Sequence, residues 1–295
     1  MTVPPPPSTP YLVVLGTAQD GGIPQPACTK KCCRNKRSNS SLQRRISCMG
    51  IIDPSSGQRW MIDSTPDFPQ QIDHLLSCDP SSDMKSMRGI FLTHSHMGHV
   101  SGLVHLGPES LNTNSLPLYA TPKLHDWIES GPPWKNLLRN SHTLRKEIVP
   151  EQTIELTPEI RLKAICVPHR DEYAETLAFR IEGPHRCALY LPDIDSWKHL
   201  DPPIEDHVTA VDRAYLDGTF FDTNELPGRP ISEVPHPTLC ESMTEFDSLS
   251  LEHRSRIHFL HLNHTNPVLD PQSTESKTLR EAGFKIAEDG EIFTL

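Results

Sequence analysis

The run Gly89-Ile90-Phe91-Leu92-Thr93-His94-Ser95-His96-Met97-Gly98-His99 decides how the chain is read. Its first four residues are largely apolar and have the length and character of a buried strand. Three histidines follow within six positions, and the small residues and helix-like run from Val100 to Leu103 come next. Imidazole is the commonest ligand for zinc-class metals, and two histidines one residue apart can face one ion where the backbone turns sharply at a strand end. The stretch therefore reads as a metal site at a strand-to-loop junction.

Outward from this run, the chain has 295 residues, enough to bury a large core without covalent staples. Its formal charge of −10 disfavours nucleic acid and anionic membrane as partners, so an anionic substrate must be attracted locally. The start, Met1-Thr2-Val3 and four prolines, has no signal-peptide pattern, and no apolar run approaches a membrane span. The expectation is a soluble cytoplasmic protein with a mobile proline-rich tail over residues 1–10 and one domain over residues 11–295. Of eight cysteines, Cys48, Cys78, Cys166, Cys187 and Cys240 are scattered and read as reduced thiols. Cys28, Cys32 and Cys33 cluster, which in an intracellular chain suggests a metal before a disulfide.

Taken in order, Tyr11–Leu15 reads as a strand leading to the glycine-rich Gly16-Thr17-Ala18-Gln19-Asp20-Gly21-Gly22, which lacks both the dinucleotide fingerprint and the phosphate-loop ending. Asp20 is a candidate outer-shell group there. Lys30, Lys31, Arg34, Lys36, Arg37, Arg44 and Arg45 form the one basic run, either a solvated loop or an anion attractor. Residues 47–53 and 58–63 read as a hairpin ending in Asp63 and Asp67, which suit a site wall or turn capping equally. Helices are expected at 68–78, 122–130 and 272–282. The Gly131-Pro132-Pro133 loop is a candidate cover for the site. Strands over 160–167, 177–181, 187–191 and 211–216 come next, with His169, Asp193 and Asp217 at the carboxyl ends of three of them, and a last strand over 257–262 ends in His261; such ends are the usual place for a site in layered α/β proteins.

His94, His96, His99, His169, Asp193 and His261, in that order, resemble the ligand series of the metallo-β-lactamase superfamily. The resemblance implies an α/β fold of four layers, the αββα sandwich, with metals at one edge between the sheets. Two branches are similar. The start, with Pro24-Gln25 and the cysteine cluster, and the end, Asn263 to Pro267, resemble coenzyme PQQ synthesis protein B. The pair His261 and His264 resembles the cyclic phosphodiesterase of phosphonate breakdown. That second likeness implies a structural zinc on Cys28, Cys32, Cys33 and His264, although Lys30 departs from the family's Cys-x-Cys-x-x-Cys.

Gly98 is the larger departure, because most superfamily hydrolases carry there an aspartate that binds the second metal. His94, His96 and His169 suit one catalytic zinc with an open position. The second position keeps His99, His261 and a bridging Asp193, and lacks its aspartate unless Asp67 or Asp20 reaches in. The expected cofactors are one or two active-site zinc ions and one structural zinc, with iron or manganese as alternatives at the active site. The expected function is hydrolysis of a small phosphodiester or related anionic ester by a metal-bound hydroxide, with Asp193 orienting the water and Asp67 or Asp171 as leaving-group acid. An iron-dependent oxidative enzyme of the coenzyme-synthesis type, or a non-catalytic member of the fold, are the alternatives. Oligomeric state, a homodimer included, stays open.

Overall fold

The computed structural model describes residues 7–79, 81–226, 230 and 233–295. Six strands lead the chain: β1 (Tyr11–Gly16), β2 (Cys48–Asp53), β3 (Gln58–Ile62), β4 (Met87–Phe91), β5 (Leu116–Ala120) and β6 (Thr143–Glu147). The last strand, β14, returns to this set, but seven others come first: β7 (Thr153–Thr157), β8 (Ile160–Val167), β9 (Thr176–Glu182), β10 (Cys187–Leu191), β11 (Arg213–Asp217), β12 (Ile257–Leu260) and β13 (Lys285–Ile286). β14 is Ile292–Thr294. One sheet has the order β14-β1-β2-β3-β4-β5-β6, the other β13-β12-β11-β10-β9-β8-β7.

Binary pattern explains the layering. β1, β2 and most of β3 and β10 to β12 are buried along their length, the signature of strands covered on both faces. Three cores result. Between the sheets, Leu12, Met49, Trp60 and Phe91 meet Leu162, Phe179, Tyr190 and Leu260. Outside the first sheet lie α2 (Phe68–Ser77), α4 (Pro122–Ser130) and α5 (Pro132–Arg139), the α1 (Lys31–Arg37) and α3 (Met97–Val100) helices being short elements nearer the histidines. Outside the second lie α6 (Ile204–Thr209), α7 (Leu239–Glu245) and α9 (Thr274–Glu281), with α8 (Leu251–Arg254) between the last two. This is the four-layer αββα sandwich.

Two expectations change. Pro132 and Pro133 do not form a cover: they open α5, where a missing N–H is harmless, and Trp134 and Leu137 pack in the outer core. Of the expected tail, residues 1–6 lie outside the described residues. Pro10 is buried and its carbonyl accepts the Leu295 N–H at 2.8 Å, so order begins before Tyr11.

The functional consequence lies in strand direction. β3 and β4 run parallel, as do β10, β11 and β12. Their carboxyl ends, together with that of β8, deliver Asp63, His94, Asp193, Asp217, His261 and His169 to one edge. Phe179 locks the two sheets, fully buried with its ring edge against Phe91 at 5.8 Å. Phe179→Ala should cost about 3–5 kcal/mol in chemical denaturation, through lost burial and a residual cavity.

Candidate metal centre

Two groups of donors meet at this edge, and Asp193 of the first approaches the second through His261. In the first, Asp193 Oδ2 lies 3.4 Å from His94 Nε2, 3.2 Å from His169 Nε2 and 3.9 Å from His96 Nδ1. In the second, Asp20 Oδ1 stands 3.5 Å from both His99 Nε2 and His261 Nε2, and His261 Nε2 is 3.9 Å from Asp193 Oδ2. All six residues of the sequence-derived series thus come together, and Asp20 joins them.

The far nitrogens are held by neighbours that fix each ring. His99 Nδ1 is 2.7 Å from Asp63 Oδ2, and Asp63 Oδ1 in turn accepts the Thr93 N–H at 2.8 Å. Thr93 Oγ1 lies 2.9 Å from His94 Nδ1. Asp195 Oδ1 lies 2.8 Å from His169 Nδ1, and Thr219 Oγ1 lies 2.8 Å from His261 Nδ1. This pattern orients an imidazole and selects which nitrogen is offered to an ion. Asp63 and His261 adopt φ values of 72° and 59°, left-handed backbone that non-glycine residues adopt only where the surroundings enforce it. Here the turn swings each side chain from the strand end into the site, and the His261 N–H donates to Ser47 Oγ at 3.1 Å.

The donor set fits a metal. His94 Nε2, His99 Nε2, His261 Nε2 and Asp20 Oδ1 are buried without a hydrogen-bond partner among the described residues. Burial alone would raise the Asp193 pKa, yet His169, His236 and His261 outweigh it and hold the carboxyl well below the usual range. Burial likewise opposes charge on His169, but Asp193 and Asp195 lift its pKa to about 9. The edge is therefore carboxylate-rich and demands positive charge, which a cation supplies without an unpaired buried carboxylate.

Sequence reasoning missed His236 and the positioning role of Asp195. His236 lies in the connection between β11 and β12, with its Nδ1 2.8 Å from Asp217 Oδ2 and 3.2 Å from Asp193 Oδ1. Its one local signal is the flanking Pro235 and Pro237, which stiffen the backbone. Asp67 is a correction. Its Oδ2 accepts the Ile46 N–H at 2.9 Å just before α2, so it is neither a second-metal ligand nor a leaving-group acid. Asp171 is solvent-exposed and does not line the cavity above the histidines.

That cavity, about 350 Å³, is lined by His96, His236 and His261, by the cations Lys30 and Arg170, and by the carboxylates of Asp20, Asp193 and Glu225. Arg170 Nε is buried without a partner among the described residues. The rest of the basic run divides: Arg44 and Arg45 close on the buried Asp289 or its surroundings, whereas Lys30 reaches the cavity.

A second cluster adjoins it. Cys32 Sγ and Cys33 Sγ each lie 3.4 Å from His264 Nδ1, and Cys28 Sγ is 4.0 Å from Cys32 Sγ. Tetrahedral zinc with Zn–S of about 2.3 Å requires sulfur–sulfur separations near ~3.8 Å, so the cluster has the dimensions of a closed zinc site. All three cysteines take part because α1 begins at Lys31 and turns Cys32 and Cys33 toward His264.

Comparison with known proteins agrees with the fold. Coenzyme PQQ synthesis protein B of Klebsiella pneumoniae (strain 342) is 25% identical over 311 residues, covering 97% of this chain and 98% of its own. Zn(2+)-bound PqqB from Methylobacterium extorquens superposes with a TM-score of 0.82 at 22% identity, over 97% of this chain and 100% of the other. A diphosphatase from the PhnP family superposes at 0.67 with 21% identity, over 97% of each chain. Residues 58–259 match the Beta-lactamase superfamily domain, and the chain belongs to that superfamily.

Proposed function

We propose that the protein is a metal-dependent hydrolase of a small phosphodiester or related anionic ester. The carrying observation is the set of buried, unpartnered imidazole and carboxylate atoms that converge beneath a cavity with two cationic side chains in its wall. A zinc-class ion held by His94, His96, His169 and Asp193 would polarise the substrate oxygen and supply a nucleophilic water at neutral pH.

The chain's own residues do the rest. Lys30 and Arg170 meet the negative charge of the substrate, Arg170 with a buried donor already stripped of solvent. Asp193 orients the attacking water through the carboxylate it presents to the histidines. His236 takes the acid role that Asp67 cannot fill. Its Nδ1 is engaged by Asp217, which leaves Nε2 to give a proton to a leaving oxygen in the cavity. Burial disfavours charge on His236, but Asp217 and Asp193 outweigh it and hold its pKa well above the usual value. Cys28, Cys32, Cys33 and His264 would hold a structural zinc, which would tie the segment after β1 to the turn after β12.

A second reading, an oxygen-using enzyme with iron at the three-histidine position, is supported by the full-length similarity to coenzyme PQQ synthesis protein B. Oxygen consumption by the iron-loaded and not the zinc-loaded protein would favour it.

The deciding assay is turnover of bis(4-nitrophenyl) phosphate with metal content measured on the same sample; fully metal-loaded protein without turnover would sink the hydrolase reading. His236→Ala should lower kcat by roughly 10²–10⁴-fold on an alkyl ester. The loss should be much smaller on the nitrophenyl diester, whose leaving group needs no proton, and metal content should not change. Cys33→Ala should lose a different ion from His96→Ala and lower the thermal midpoint, read by elemental analysis and calorimetry.

A further inference from the structure

Position 98 carries the clearest misfit between the histidine series and a two-ion site. Glycine offers no ligand, and the structure shows what stands in its place. A Cβ built on Gly98 would meet Asp20 Oδ1 at 2.1 Å, Cγ at 2.4 Å and Cβ at 2.9 Å. Every other residue at 98 is therefore excluded while Asp20 keeps its position. Asp20 Oδ1 is buried without a hydrogen-bond partner, equidistant at 3.5 Å from His99 Nε2 and His261 Nε2, and both of those nitrogens are likewise unpartnered.

Asp20 is not a chance visitor from a loose loop. Ala18 bridges to both Ile46 and Leu262, the Gln19 N–H donates to the Leu262 carbonyl at 3.0 Å, and the Gly22 N–H closes a turn on Gln19 at 2.7 Å. The backbone on both sides of Asp20 is thus pinned, on the near side to the segment that carries His261. Gly22, at φ 64°, permits that turn.

We propose that Asp20 and Gly98 are an exchanged pair: the carboxylate of the second divalent-metal position has moved from the histidine motif to the loop after β1, and the glycine is the space that admits it. The second position then comprises His99, His261 and Asp20, with Asp193 shared between the two ions, and the site is dinuclear. The inference rests on the reading of the histidine cluster as a metal site and not on hydrolysis, so ion counts test it whether or not a phosphodiester is turned over.

The experiment is elemental analysis of the full chain after zinc loading and exhaustive dialysis, with circular dichroism confirming the fold of each variant. The parent should hold three ions, two at the histidines and one at the cysteines. Asp20→Ala and the near-isosteric Asp20→Asn should each hold two, the missing ion being bound at least about tenfold more weakly in zinc titration. Cys33→Ala should also lose one ion, and combined with Asp20→Ala should lose both. The double substitution Asp20→Gly with Gly98→Asp should regain the ion that Asp20→Gly alone lacks. Two ions in the parent, or an undiminished count in folded Asp20→Ala or Asp20→Asn, overturns the proposal. A folded double variant no better than Asp20→Gly overturns the exchange.

Discussion

The structure turns on one buried carboxylate. Asp193 is 2% exposed and faces His94, His96, His169, His236 and His261, residues delivered by both sheets. A charge in that position is tolerable only with cationic or hydrogen-bonding partners around it, and no single element could supply them. The parallel strands of the two sheets do so jointly, because their carboxyl ends reach a common edge. Side-chain packing between the sheets, around Phe91 and Phe179, holds that edge in register.

Around this centre the rings are fixed from behind. Asp63, Thr93, Asp195 and Thr219 each engage the far nitrogen of one histidine, so the inward-facing atoms are preset. The connection between β1 and β2 lies outside both sheets, and it carries Asp20, Lys30 and the three cysteines. The convergence of Cys28, Cys32 and Cys33 on His264, three residues after His261, fastens that segment to the turn that provides a histidine of the centre. The cysteine cluster therefore bears on the site's geometry, and its His264 lines the same cavity.

Similarity to coenzyme PQQ synthesis protein B and to a PhnP-family diphosphatase extends over nearly the whole chain, yet at 21–25% identity it speaks for the fold and less for the chemistry. The cavity sets Arg170 and Lys30 against an overall charge of −10, beside the carboxylates of Asp20, Asp193 and Glu225.

The sequence by itself determined the donor residues that converge and their order along the chain. A buried strand that ends in His94, His96 and His99 needs no neighbour to be recognised, and strand-end placement marked His169, Asp193 and His261 in the same way. The three cysteines were also legible as a dense local cluster, whereas His264 was named only through the family resemblance, being more than 230 residues away in the chain. Only the tertiary structure decided between carboxylates. Asp20 and Asp67 are equally plausible in the chain, but Asp67 is consumed by the Ile46 N–H while Asp20 enters the space left by Gly98. His236 reaches Asp193 and Asp217 from a connection with no periodic pattern to read. Local rules describe neighbours along the chain; contacts among Asp20, Gly98 and His261 depend on how two sheets pack, which no local pattern encodes.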